Sequence, residues 1–135
     1  MVRASCVCGD SAYEFTGKYQ AYVACRCIPC RKVSGADRSM NLIVHKDEVT
    51  IISGTDKLVS READSGKDLT YHQCQNCGNT MFAVAGKDPN NFILKMGLID
   101  DTEFLNGLGL PKMEIYCKYM WGWEKPFDGA QLIQN

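Results

Sequence analysis

Cys6-Val7-Cys8, Cys25-Arg26-Cys27-Ile28-Pro29-Cys30 and Cys74-Gln75-Asn76-Cys77-Gly78 hold seven of the eight cysteines of this chain. Thiolates this close together suit a metal. A closed structural zinc site takes four protein ligands, whereas a catalytic one takes three and leaves a position open. The two short pairs supply four thiolates, and the triple cluster supplies three. The count points to a closed zinc site on Cys6, Cys8, Cys74 and Cys77 and an open one on Cys25, Cys27 and Cys30. A metal at the closed site clips the N-terminal strand to the middle of the chain. Closing so long a loop removes freedom from the unfolded state, which makes metal binding part of folding.

Other readings of these cysteines stand beside that one. Eight cysteines can form a disulfide framework, but a chain of 135 residues with 45% hydrophobic content can bury a core without staples. Cys74-Gln75-Asn76-Cys77 can be a redox dithiol, although that motif belongs in a strand–helix setting that does not follow here. The triple cluster can be closed by Cys117 or a histidine. Cys117 itself, in the alternating stretch Glu114–Tyr119, reads as a buried residue of a strand. His45 and His72 read as ordinary strand residues, with His72 near enough to Cys74 to support a metal-bound thiolate.

Composition narrows the class. The net charge is −1, so no basic surface for nucleic acid or an anionic membrane is expected. No apolar run reaches the length of a membrane span. The first ten residues lack the apolar core of a signal peptide, and a cytoplasmic location with reduced thiols is the expectation.

The local pattern is β throughout. Strands are predicted at Ser11–Phe15, Tyr22–Ala24, Met40–His45, Val49–Ile52, Lys57–Arg61, Leu69–His72, Thr80–Ala85 and Phe92–Met96, with turn residues between them. Helical turns are predicted only near Lys46–Val49 and Asp100–Leu105. The stretch Gly54–Asp68 fits a hairpin or a loop. Trp121, Trp123 and Phe127 read as a C-terminal segment covering the core or walling a cleft. Arg26, Arg31, Lys32 and Arg38 crowd the triple cluster, and cations near an open metal suit an acidic substrate.

These motifs resemble the family of glutathione-dependent formaldehyde-activating enzymes, which shares its domain with centromere protein V. The residues that carry the resemblance are Cys6 to Gly9, Cys25 to Ala36 and Cys74 to Gly78. Pro111, Glu114-Ile115-Tyr116, Trp121 and Gly129-Ala130-Gln131 extend it over nearly the whole chain, as a single domain. The resemblance implies a mainly β, Mss4-like fold of packed antiparallel sheets with zinc-clipped loops. It implies a structural zinc on Cys6, Cys8, Cys74 and Cys77 and a catalytic zinc on Cys25, Cys27 and Cys30. The implied chemistry is carbon–sulfur bond formation or cleavage, with glutathione as co-substrate. On this reading Arg26, Arg31 and Lys32 meet the substrate's carboxylates, and the Ser34 hydroxyl and Gly35 amide add polar contacts. The partners are then a small-molecule thiol and an electrophile, with neither nucleic acid nor membrane. One departure is Arg26, where the family commonly has histidine. The rivals are a non-catalytic zinc module that binds a partner and a thiol oxidoreductase using Cys117.

Overall fold

The computed structural model describes all 135 residues. The strands are β1 (Val2–Ser5), β2 (Ala12–Phe15), β3 (Ala21–Cys25), β4 (Ser39–His45), β5 (Val49–Ser53), β6 (Lys57–Glu62), β7 (Asp68–Gln73), β8 (Thr80–Ala85), β9 (Asp88–Lys95), β10 (Met113–Ile115) and β11 (Gln131–Leu132). Two short helices interrupt them, α1 (Ile28–Ser34) and α2 (Thr102–Leu108). All eight predicted or alternating runs before residue 97 form strands. Gly54–Asp68 resolves into a hairpin, with Lys57 to Glu62 of β6 paired to Gln73 to Asp68 of β7. This is the mainly β architecture of packed antiparallel sheets that the resemblance implies. None of its helices is long and apolar enough to cross a membrane.

The strands divide into two sheets. A small sheet has the order β1-β2-β5, and a large one runs β11-β10-β3-β4-β9-β8-β7-β6. Pairing is antiparallel except at one edge, where β10 lies parallel to both β3 and β11. Successive residues of a strand point to opposite faces, and the large sheet uses both faces for different purposes. Leu42, Val44, Phe82 and Leu94 face the small sheet and pack on Tyr13, Phe15 and Ala4. Phe82 stands at the centre of this core. His72 and Phe92 stack on its ring at 4.4 and 4.6 Å, and Tyr13 meets it edge-on at 6.0 Å. His72 is thus an aromatic partner in the core. Burial pushes its imidazole below the ordinary histidine range.

Three local expectations are corrected. The Cys25–Cys30 cluster runs into helix α1, which the apolar period does not announce. Pro29 sits in its first turn, and Gly35 ends it in a left-handed conformation. Cys117 is in a single 3₁₀ turn rather than a strand, because Tyr116 takes φ 55° and breaks the alternation. Trp123 is 75% exposed and Trp121 39%, so the two indoles leave the core uncovered. The segment that carries them is fastened by backbone bonds instead. Gln131 and Ile133 amides donate to the Lys112 and Glu114 carbonyls at 2.9 Å each.

The Tyr13 hydroxyl is fully buried without a hydrogen-bond partner. An unsatisfied buried hydroxyl costs about 1–3 kcal/mol. Tyr13→Phe should therefore stabilise the fold by about 1 kcal/mol in denaturant unfolding, whereas Tyr13→Ala should cost about 3–5 kcal/mol through the cavity it leaves. A clear loss of stability in Tyr13→Phe would show that the hydroxyl is satisfied.

Candidate metal centres and the cavity beside them

All eight cysteines are free thiols, and seven of them converge at two points. The sulfurs of Cys6, Cys8, Cys74 and Cys77 lie within 4.8 Å of one another, as do those of Cys25, Cys27 and Cys30. In the first group the Cys6–Cys8 and Cys8–Cys74 separations are 3.5 and 3.7 Å, across 66 residues of sequence in the second case. Four sulfurs held tetrahedrally at ~2.3 Å from zinc stand ~3.8 Å apart, so this donor set fits a metal ion of that size. Two tight turns build it. The Gly9 amide donates to the Cys6 carbonyl and the Gly78 amide to the Cys74 carbonyl, each at 3.0 Å. Both glycines take positive φ, 85° and 80°, a conformation that disfavours any side chain. Backbone amides also point at the sulfurs. Ser11 donates to Cys6 at 3.3 Å and Cys77 to Cys74 at 3.5 Å. The Cys77 amide leads in pulling the Cys74 thiol down to about 6, which favours the anionic form a metal needs.

The triple cluster sits where β3 passes into α1. Cys27 caps the helix, its sulfur accepting from the Cys30 amide at 3.3 Å. The Cys25 and Cys30 thiols both favour a thiolate on Cys27 and hold it well below the ordinary thiol range. That thiolate in turn pushes Cys25 up. Neither Cys117 nor a histidine joins these three sulfurs. Cys117 is buried elsewhere, its thiol 3.4 Å from the Glu114 carbonyl. The three-thiol set thus has no protein group placed to close it.

All three thiols line one cavity of about 360 Å³. Its floor is the second face of the large sheet. Asn41, Ile43, Ile93, Lys95, Ala83 and Ala85 point into it from β4, β9 and β8, at positions alternating with the core residues. Leu69, Tyr71 and Arg61 continue the floor on β7 and β6. From the opposite edge of the sheet come Met113, Ile115 and Tyr116. The two edges meet where the Tyr116 hydroxyl donates to Asp64 Oδ2 at 2.6 Å, so the sheet curls around the cavity.

The expected cations fall elsewhere. Arg26 is fully buried and does not reach the cavity. It directly follows β3, its amide still bonded to the Ile115 carbonyl at 3.1 Å, and this extension of the ladder turns its side chain to the face opposite the thiols. There its Nη1 pairs with Glu114, and its Nη2 lies 3.5 Å from Glu124. Glu114 and Glu124 then hold the C-terminal segment through the amides of Phe127 at 2.8 Å and Trp121 at 2.6 Å. Arg31 and Lys32 lie on α1 outside the cavity. The Gly35 amide is spent on the Arg31 carbonyl at 2.8 Å, and the Ser34 hydroxyl donates to the same carbonyl at 3.2 Å. Arg38 is paired with Asp37 and Glu124.

The cations that do line the cavity are Arg61, Lys87 and Lys95. Lys95 also lines a polar groove beside α1, with Ser34, Arg38, Ser39, Asn79 and Thr80. Its ammonium donates to Ser39 Oγ at 3.1 Å and Asn41 Oδ1 at 3.2 Å. Burial pushes that ammonium down, against the pull of the thiols. A lysine inside the apolar run Phe92–Met96 was the sequence signal for it, since it shares strand parity with Ile93. Arg61 and Tyr116 carried no such signal, because they reach the thiols only through the curl of the sheet.

Two expectations follow. Cys8→Ser or Cys74→Ser should cripple folding, whereas Cys27→Ser should lose one metal equivalent and stay folded. Metal counts alongside thermal unfolding check this, and equal damage from all three would erase the division of labour. Arg26→Ala should cost about 3–5 kcal/mol by stranding Glu114. Chemical denaturation showing a neutral effect would remove this ion pair from the account of stability.

In solved structures the chain is similar to a Rhodobacter sphaeroides protein at 14% identity, with a TM-score of 0.59 over 81% of this chain and 96% of that one. At that identity the likeness is one of fold. A family model for the glutathione-dependent formaldehyde-activating enzyme matches residues 1–119. With nearly all of the β framework and all seven clustered cysteines inside that match, the chain belongs to the glutathione-dependent formaldehyde-activating enzyme family.

Proposed function

We propose that this chain is a zinc-dependent carbon–sulfur lyase or transferase that joins a thiol, glutathione by the family's description, to an aldehyde or similar electrophile, or runs the reverse. One observation carries the reading: three thiols without a fourth protein ligand open onto a cavity, while four others converge in loops. A zinc ion held by Cys25, Cys27 and Cys30 would supply a lowered thiol pKa at the open position.

The residues of the chain do the rest. In the addition, a sulfur–carbon bond forms as the carbonyl π bond breaks, and the thiol proton ends on the carbonyl oxygen. The reverse step returns the free thiol and aldehyde, so no oxidant or reductant is needed. The apolar walls keep water from the reacting carbon. The polar groove beside α1, with Lys95 at its junction with the cavity, suits the carboxylates of the thiol, and Ser34 lies in its wall. Arg31 and Lys32 add positive charge on the exposed side of α1.

The test is calorimetric titration of the zinc-loaded chain with glutathione. A charge-assisted hydrogen bond contributes about 1.5–3 kcal/mol, so Lys95→Met should weaken binding about tenfold or more with zinc content unchanged. Arg31→Ala, outside the cavity, should have less effect. Wild-type protein that ignores glutathione would end this reading and leave a zinc module without thiol chemistry.

A further inference from the structure

We infer that the molecule received by this cavity is amphiphilic, an apolar skeleton of several carbons bearing an anionic group, rather than a one-carbon aldehyde. Its role as the electrophile rests on the thiol-addition reading above.

The first argument is size. The cavity holds about 360 Å³. That lies in the range of roughly 300–1,000 Å³ used for sizeable organic ligands. With the thiol's carboxylates in the groove beside α1, a one-carbon unit would leave the aliphatic floor beyond the three thiols uncovered.

The second argument is chemistry. Apart from the three thiols, the lining is mostly aliphatic. Ile43, Ile93, Leu69 and Ile115, all only half-buried, present branched aliphatic surface away from the thiols' own loop. These residues alternate with core positions that already have packing partners, so their apolar faces belong to the cavity alone. Folding leaves this surface uncovered, and an apolar ligand would recover the contacts it lacks.

Charge supplies the third. Arg61, Lys87 and Lys95 all line the cavity against one carboxylate, Asp64. None of the three is in an ion pair, since the ion pairs of the chain join other residues. Arg61 is held in place by its Nε, which donates to the Tyr71 hydroxyl at 2.8 Å, and by its Nη1, which donates to the Glu62 carbonyl at 3.3 Å. Its Nη2 has no protein partner and is available to an anion. Lys95 spends two of its three N–H donors on Ser39 and Asn41 and its third is assigned above to the thiol's carboxylates, so Arg61 is the fixed cation for the anionic end of this ligand.

The experiment separates this inference from the thiol reading. The full chain is titrated calorimetrically with acetate, butanoate, hexanoate and octanoate, which carry the anion and the skeleton without a reactive carbon. Affinity should rise about threefold to fourfold for each methylene buried. Arg61→Gln should weaken every member by about tenfold, while the dependence on length survives. Ala85→Leu, which fills part of the floor, should flatten the gain beyond butanoate. The same series on Cys27→Ser removes coordination to an open metal as an explanation, and the length dependence should persist there. Octanoate binding no better than acetate in both wild type and Cys27→Ser would overturn the inference. Equal binding by Arg61→Gln would overturn its anionic half. A preserved length dependence in protein that ignores glutathione would retain the amphiphilic ligand and discard the thiol chemistry.

Discussion

A strand shows successive side chains to opposite faces, and the placement of charge and sulfur in this molecule depends on that alternation. Cys25-Arg26-Cys27 is its sharpest expression. With the two thiols on the cavity side, the guanidinium between them must enter the opposite face, where no water reaches it. A buried charge is tolerable only when it is paired and hydrogen-bonded. Glu114 on the neighbouring strand meets that need, since it sits between Met113 and Ile115 and alternates in the same sense. Two strands with matched parity therefore put sulfur and aliphatic surface on one side and an ion pair on the other.

The four-thiol cluster answers a different problem. The small sheet begins with β1 and β2, and the loop between them carries Cys6 and Cys8. The turn after β7 carries Cys74 and Cys77. Joining the two turns at one point fastens the small sheet to the β7–β8 hairpin of the large one. The shared aromatic core around Phe82 supports the same contact from inside. The three-thiol cluster is framed instead by the large sheet and α1.

Much of this was legible in the sequence. Runs such as Thr80–Ala85 announce strands because their branched and aromatic residues sit between turn signals, and the cysteine spacing separates the two thiol clusters without any knowledge of the fold. Helix α1 was hidden because three of its seven residues are Ile28, Pro29 and Cys30, which give no apolar stripe. Its signals were instead Pro29 at the start and Gly35 just past the end. Arg26 adjoins the thiols in sequence but not in space, because alternation turns its side chain to the other face. Arg61 and Tyr116 carried no local signal, since β6 is one edge of the large sheet and Tyr116 follows β10 near the other, and only the curl of the sheet brings them to one cavity.

The C-terminal segment has a consequence for where this domain ends. The family match stops at residue 119, but Glu124, the Phe127 amide and β11 all lie beyond it. Cutting the chain at the family boundary would remove one of the two carboxylates facing Arg26, uncover the free edge of β10 and strip a donor from Glu114. The cooperative folding unit is therefore longer than the shared unit of descent. Fragments for expression, fusion or transplantation of the metal-binding loop should keep the last sixteen residues.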